Sequence, residues 1–338
     1  MISLKEIKKY LEKSDNPLIF HDDDQDGLCS YLLIKKEFPQ ATGSIVKAAP
    51  NINEDYLEKV NYHNPDLILI LDIPIVSQEF IDGCNVPVIW IDHHPPMDQK
   101  GVKYFNPLLI DKEDHRPVTH WCYELTKKNL WVAVIGIVAD WFLPDFMDKF
   151  HKEYPDLTIK NSTKEKILFD SDLGRLIRYF SFILKGKQSQ VDKNIKYLEE
   201  INSPYEILNK KSEQGRHIYK YAHKIESDYK ELLNKALRIK AEDGLILFEY
   251  THVKYSFTGE IANHLIYKNK DKIVLVAREK NDQMKFSLRS EEKPVADPLK
   301  NAMKGLEGTG GGHELACGGN IEKDDFHTFV KRLKEELS

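Results

Sequence analysis

The chain has 338 residues, 41% of them hydrophobic and 30% charged, enough to bury the cores of two ordinary globular domains. No apolar run approaches the ~20 residues that cross a bilayer, and the opening Met1-Ile2-Ser3-Leu4-Lys5-Glu6 reads as a first helix rather than a leader peptide, so no membrane association is expected. A formal net charge of −5 excludes indiscriminate coating of nucleic acid, and four cysteines without Cys-x-x-Cys spacing argue against a cysteine-based zinc site or disulfide framework and for a cytoplasmic protein.

The first 140 residues alternate short apolar runs with helical patterns. Leu18-Ile19-Phe20 leads into His21-Asp22-Asp23-Asp24-Gln25-Asp26-Gly27, Leu67–Leu71 ends at Asp72, and Val88–Ile91 ends at Asp92-His93-His94. Such runs predict an α/β domain with a parallel sheet covered on both faces, whose carboxyl edge collects ionisable groups. Val132–Asp140 fits either a buried strand or a helix. From Lys185 to Lys240 the pattern is helical, and thirteen Lys and Arg stand against eight Asp and Glu. This stretch is read as a linker, either a solvated face or a contact for phosphates. Strand-like segments return at Leu245–Tyr250, Lys272–Ala277 and Lys285–Arg289, ahead of a glycine-dense tract, Gly308 to Gly319, and a final helix from Asp324 to Leu337. The expected organisation is 1–185, a helical linker over 186–240, and a smaller α/β domain over 241–338.

The chemistry concentrates in the strand-end acids. Clustered carboxylates repel one another, and cations between them relieve the repulsion. An oxygen-rich set takes Mg²⁺ or Mn²⁺, and an added imidazole tilts it toward Mn²⁺. A calcium loop of the EF-hand kind fails, because its twelfth position would be Leu33 and the flanking run is a strand. Asp22, Asp24, Asp26, Asp72, Asp92, His93 and His94 together form the inventory of a two-metal hydrolase. The glycine tract carries no Gly-Lys-Ser/Thr and no dinucleotide fingerprint. Its glycines mark turns or leave backbone N–H groups bare for a phosphate.

The order Asp-x-Asp-x-Asp-Gly, strand-end Asp, Asp-His-His, Gly-Ile-Val-Ala-Asp (Asp22–Gly27, Asp72, Asp92–His94, Gly136–Asp140) resembles the motifs of DHH phosphoesterases. Phe286-Ser-Leu-Arg-Ser290 and the Gly310-Gly-Gly-His313 run resemble the DHH-associated C-terminal domain. The resemblance implies that Asp24 and Asp140 hold one metal and Asp26 and His93 the other, with Asp72 bridging. His94 would face the scissile phosphate, Asp92 would orient the histidines, and Asp22 would be a supporting ligand. A histidine common in relatives is replaced by Phe20, and His21 receives no role. Arg289, Ser290, Gly310, Gly311, Gly312 and His313 would grip the substrate, and Arg116 is a further phosphate contact. The implied activity is a two-metal, Mn²⁺-preferring phosphodiesterase, an exonuclease on single-stranded RNA or DNA or on short oligonucleotides. Alternatives are a small-molecule phosphatase or phosphodiesterase for nucleoside bisphosphates or dinucleotides, a non-catalytic replication or repair scaffold, and cleavage of polyphosphate or pyrophosphate. No third domain is evident, which favours short substrates or help from a protein partner in replication or repair.

Overall fold

The computed structural model describes residues 1–47, 51–251 and 253–337. It divides into two compact units, Met1–Ala222 and His223–Ser338. No helix among the described residues is long and apolar enough to cross a membrane.

In the first unit, α1 (Leu4–Lys13) starts at a Ser3/Glu6 capping box and leads into β1 (Pro17–His21) and α2 (Gln25–Glu37). Then come β2 (Thr42–Ile45), the two-residue β3 (Asn51–Ile52), α3 (Leu57–His63), β4 (Leu67–Leu71), the two-residue β5 (Ile75–Val76) and α4 (Gln78–Gly83). β6 (Val88–Ile91) and β7 (Lys103–Phe105) complete a sheet of order β2-β1-β4-β6-β7, and every adjacent pair is parallel. β1, β4 and β6 are buried at every residue, as a sheet covered on both faces requires. One layer beneath them is apolar and includes Phe20, Phe80 and Trp90.

The all-apolar run after residue 130 is a helix. α5 (Val118–Thr126) and α6 (Leu130–Ala139) pack against α2, and α6 also meets the helix α9 (Asp172–Ile183), so no face of α6 needs polar residues and its sequence shows no period. The helices α7 (Met147–Glu153), α8 (Lys164–Asp170), α9 (Asp172–Ile183), α10 (Gln188–Glu200) and α11 (Pro204–Leu208) follow. The 24-residue α12 (Glu213–Ala236) contains the division between the units, so α10 and α11 lie in the first unit although the sequence pattern placed them in a linker.

The second unit has a five-stranded mixed sheet built from β8 (Leu245–Tyr250), β9 (Ile273–Lys280), β10 (Gln283–Ser290), β11 (Gly308–His313) and β12 (Ala316–Glu322), in the order β11-β12-β10-β9-β8. Only the β8/β9 pairing is parallel. Alternation along β10 sends Met284, Phe286 and Leu288 into a core shared with α14 (Ala296–Ala302) and α15 (Lys323–Leu337), where Phe286 and Phe329 stack at 5.0 Å. Ser287 and Arg289 point to the opposite face, beside α13 (Thr258–Lys268).

Candidate metal centre

The register of the sheet assembles the site. His21 pairs with Leu71, and Leu71 with Ile91, so the next residues, Asp22, Asp72 and Asp92, leave three neighbouring strands at the same level. The chain turns to opposite sides of β1 on reaching β2 and β4, and such a switch point opens a crevice at the carboxyl edge. Asp24 caps α2 by accepting a hydrogen bond from the Gly27 N–H at 2.9 Å, and Asp26 sits in that helix's first turn. Asp140 lies at the carboxyl end of α6, where the helix dipole disfavours a negative charge and a cation restores the balance. Asp72 adopts φ +61°, a left-handed conformation that Asp tolerates better than most residues and that clusters at functional sites.

Ligand atoms of Asp22, Asp24 and Asp72 lie within 4.8 Å of one another, as do those of Asp26, His93 and Asp140, and those of Asp72, His93 and His94. The His93 Nε2 is 3.4 Å from Asp72 Oδ1 and 3.8 Å from Asp140 Oδ2. Two adjacent positions result, with Asp72 next to both. The grouping keeps Asp26 with His93, as the resemblance implies, but sets Asp140 beside them rather than with Asp24. α6 packs on α2 and brings Asp140 to Asp26, while Asp24 stays beside Asp22 at the loop.

Without cations this assembly is electrostatically unfavourable. Burial, reinforced by Asp24, pushes Asp22 up to about 7, and surrounding protein together with Asp26 pushes Asp24 up to about 6, although that side chain keeps solvent access. Asp72 and Asp140 are raised well above the carboxylate range by burial first and by neighbouring carboxylates second. Burial lowers His93. For His94 burial opposes the charge, yet the Asp92 hydrogen bond and the acids around it win and the ring is raised. The buried Oδ1 of Asp72 has no hydrogen-bond partner, and an orphan carboxylate oxygen among oxygen donors and an imidazole fits a divalent cation.

A supporting layer holds these groups. Asp92 is fully buried; it accepts from His94 Nδ1 at 2.8 Å and from the His94 backbone N–H at 3.2 Å. Asn106 donates to the His94 carbonyl at 2.9 Å, and Tyr104 donates to Asp92 at 3.3 Å. Both oxygens of Asp26 accept backbone N–H groups at the start of α5, from Val118 and Thr119, each at 2.8 Å. Asn106, Tyr104 and Thr119 carry no motif that singles them out in the sequence. Asn106-Pro107 after a short strand was a turn signal, whereas a main-chain donor such as Thr119 N–H leaves no trace in residue type.

Two glycines of the motifs are explained by close approach. A Cβ on Gly27 would meet the Asp22 backbone at 2.7 and 2.8 Å, and one on Gly136 would collide with Thr119 Oγ1 and stand 2.7 Å from Cys29 Cβ. Gly27→Ala should therefore move the acidic loop against α2, cost about 2–4 kcal/mol of stability and abolish cation binding. Calorimetric unfolding with and without Mn²⁺ checks both.

The remaining expected residues fall elsewhere. Arg116 is engaged: it pairs with Asp114 at 2.5 and 2.8 Å and stacks over Trp121 at 4.2 Å. In the second unit, the half-buried Arg289 donates to Asn263 Oδ1 at 2.7 Å and to the Leu288 and Cys317 carbonyls at 2.9 and 2.8 Å. Burial lowers its pKa, and no carboxylate pairs with it among the described residues. Ser290 is buried and accepts from Lys293 N–H at 3.0 Å. Gly310, Gly311, Gly312 and His313 form an exposed edge strand, β11, rather than a turn-rich loop. Gly312 has φ +143° and its Cβ would strike the Ala316 carbonyl oxygen, whereas a Cβ on Gly311 would meet nothing within 4 Å.

Residues 16–152 match the family model for the DHH family, N-terminal domain, and residues 247–338 match that for the DHHA1 domain. An uncharacterised protein of Methanocaldococcus jannaschii is 23% identical over 99% of this chain and 98% of its own length. Among solved structures, RecJ from Thermus thermophilus in complex with Mn²⁺ aligns at TM-score 0.65 and 15% identity over 98% of this chain. The chain spans about half of that RecJ, 54% of its length. A pGpG-specific phosphodiesterase from Vibrio aligns at TM-score 0.54 and 15% identity, over 95% of this chain and 98% of its own. A CDC45 from Entamoeba histolytica aligns at TM-score 0.55 and 9% identity, covering 99% of this chain and 98% of its own.

Proposed function

Because this chain belongs to the DHH superfamily of phosphoesterases and carries a C-terminal DHHA1 domain, we propose that it is a two-metal phosphodiesterase that shortens single-stranded RNA or DNA, or short oligonucleotides, from an end. The observation that carries this reading is the clustering of five aspartates and two histidines at one sheet edge, with the Asp72 oxygen left unpartnered. Asp22, Asp24 and Asp72 would hold one cation and Asp26, His93 and Asp140 the other, with Asp72 between them. Mn²⁺ suits the mixed oxygen and nitrogen donors, and Mg²⁺ is the alternative. When bound, the cations supply Lewis acidity toward the phosphoryl oxygens and toward the attacking water.

The chain's own groups do the rest. His94, fixed through Nδ1 by Asp92 and biased toward its protonated form, donates from Nε2 to a phosphoryl oxygen. Arg289 offers a guanidinium without a carboxylate partner to a substrate phosphate, and the bare β11 backbone allows close approach beside it. Since a methyl at Gly311 meets nothing, Gly311→Ala should leave melting unchanged and raise KM about tenfold by keeping the substrate off the strand. Steady-state kinetics on a trinucleotide checks it.

Hydrolysis of nucleoside bisphosphates or dinucleotides is the second reading, favoured by the likeness to a whole pGpG-specific enzyme of nearly the same extent. End-labelled RNA and DNA of two to about twenty-four nucleotides decide between the two. Mononucleotide ladders on long strands support the exonuclease, and cleavage confined to two or three nucleotides supports the small-molecule enzyme. Silence on every length would revive a non-catalytic role.

A further inference from the structure

Beside the acidic loop, inside the first unit, lies a cavity of about 550 Å³ that the metal chemistry leaves unused. Its floor is a fixed stack. His21 is buried with Nδ1 2.8 Å from the Asp22 carbonyl oxygen, its ring lies 4.9 Å from Tyr31, and Tyr31 donates to Glu199 at 2.6 Å. Gly43 is required there, because a Cβ would stand 2.5 Å from the Tyr31 ring. The walls carry Lys47, Lys59 and Lys196 with Ser44 and Tyr56. The Lys59 ammonium is 3.0 Å from Ser44 Oγ, and neither Lys47 nor Lys196 has a side-chain partner among the described residues. Two acids line the cavity against three lysines: Glu199, which accepts from Tyr31, and Asp192, which accepts from Gln188 at 2.7 Å.

Lysines on an open surface are ordinarily just solvated. Here they converge on a concavity whose floor begins at His21, the residue preceding Asp22. We propose that this cavity is a phosphate subsite that seats the substrate's second phosphate, one position along from the phosphodiester held at the carboxylate cluster. The inference rests on the phosphodiesterase reading and narrows it to substrates with at least two phosphates. That second phosphate is either the next internal phosphodiester of a strand or the terminal phosphate of a nucleoside bisphosphate. Lys59 with Ser44 grips it from the β2 and α3 side, and Lys47 and Lys196 close over it.

The test is equilibrium binding to the full chain carrying Asp72→Asn, which stops turnover. It compares the trinucleotide ApApA, adenosine 3′,5′-bisphosphate and the one-phosphate control ApA, with and without Lys47→Ala and Lys196→Ala. Removing the lysines should weaken a two-phosphate ligand about tenfold, leave ApA within about twofold, and flatten the salt dependence for the former alone. Loss confined to ApApA identifies an internal phosphodiester, and loss confined to the bisphosphate identifies a terminal phosphate. Equal loss for ApA, no loss for either two-phosphate ligand, or no binding by the parent overturns the subsite. Lys47→Gln with Lys196→Gln, checked by melting temperature, guards against a folding artefact. Lysine-dependent binding by a chain whose Asp72 form hydrolyses nothing would sink the phosphodiesterase reading and keep the subsite.

Discussion

Asp72→Asn will lose phosphodiester hydrolysis by about a thousandfold or more, the several kcal/mol of transition-state stabilisation that two cations supply. It will do so while folded. Asn accepts the φ of +61° found at this position, whereas Ala there would add about 1–2 kcal/mol of strain and blur the result. Asn also mimics the protonated carboxyl that burial imposes on Asp72 in the metal-free chain, so metal-free melting should barely change. The difference appears on adding Mn²⁺. At a hundred times its dissociation constant the ion should stabilise the parent by about 2.7 kcal/mol and the variant by far less. Retained turnover, or equal Mn²⁺ stabilisation of both chains, would contradict the assignment of Asp72.

The metal-free chain will lose stability as pH rises from about 6.5 to 8.5. A carboxyl raised in the folded state favours folding while protonated, and its contribution vanishes as pH climbs through the folded value. Asp22 titrates at about 7, while Asp72 and Asp140 lie well above the carboxylate range. His94, also raised, acts in the same direction. His21 works the other way: burial lowers it to about 4, so it penalises folding as pH falls below about 6.5, its unfolded value. Below that pH the groups oppose one another, and above it the carboxyls and His94 act together. Discounted for its partial exposure, Asp22 alone should account for somewhat under about 1 kcal/mol of this loss, and Asp72, Asp140 and His94 add to it. Saturating Mn²⁺ should flatten the profile, because the ions neutralise the same groups. Denaturant unfolding at pH 6.5, 7.5 and 8.5 reads both slopes.

The site was legible in the sequence where chemistry repeats at strand ends. Asp22 to Gly27, Asp72 and Asp92 to His94 each follow an apolar run, and parallel pairing turns that serial pattern into one edge. Polar or short strands were not legible: β2 is Thr-Gly-Ser-Ile and β7 is Lys-Tyr-Phe, neither with the branched apolar character of β1. α6 was ambiguous because a helix packed on several sides has no amphipathic period. How the ligands group depends on α6 meeting α2, a tertiary fact that spacing cannot carry. Arg116, expected from its residue type and loop position to contact a phosphate, pairs with Asp114, two residues earlier. The division of the chain falls within α12 between Ala222 and His223, well past Gly215, so no glycine or proline marks it.

The most direct test of the central claim is release of labelled mononucleotide from a single-stranded pentanucleotide as Mn²⁺ is titrated into the chelator-stripped chain. No release is expected without the ion, followed by a rise that saturates as the carboxylate cluster fills. Release that is undiminished in chelator, or absent at every Mn²⁺ and Mg²⁺ concentration, would contradict it.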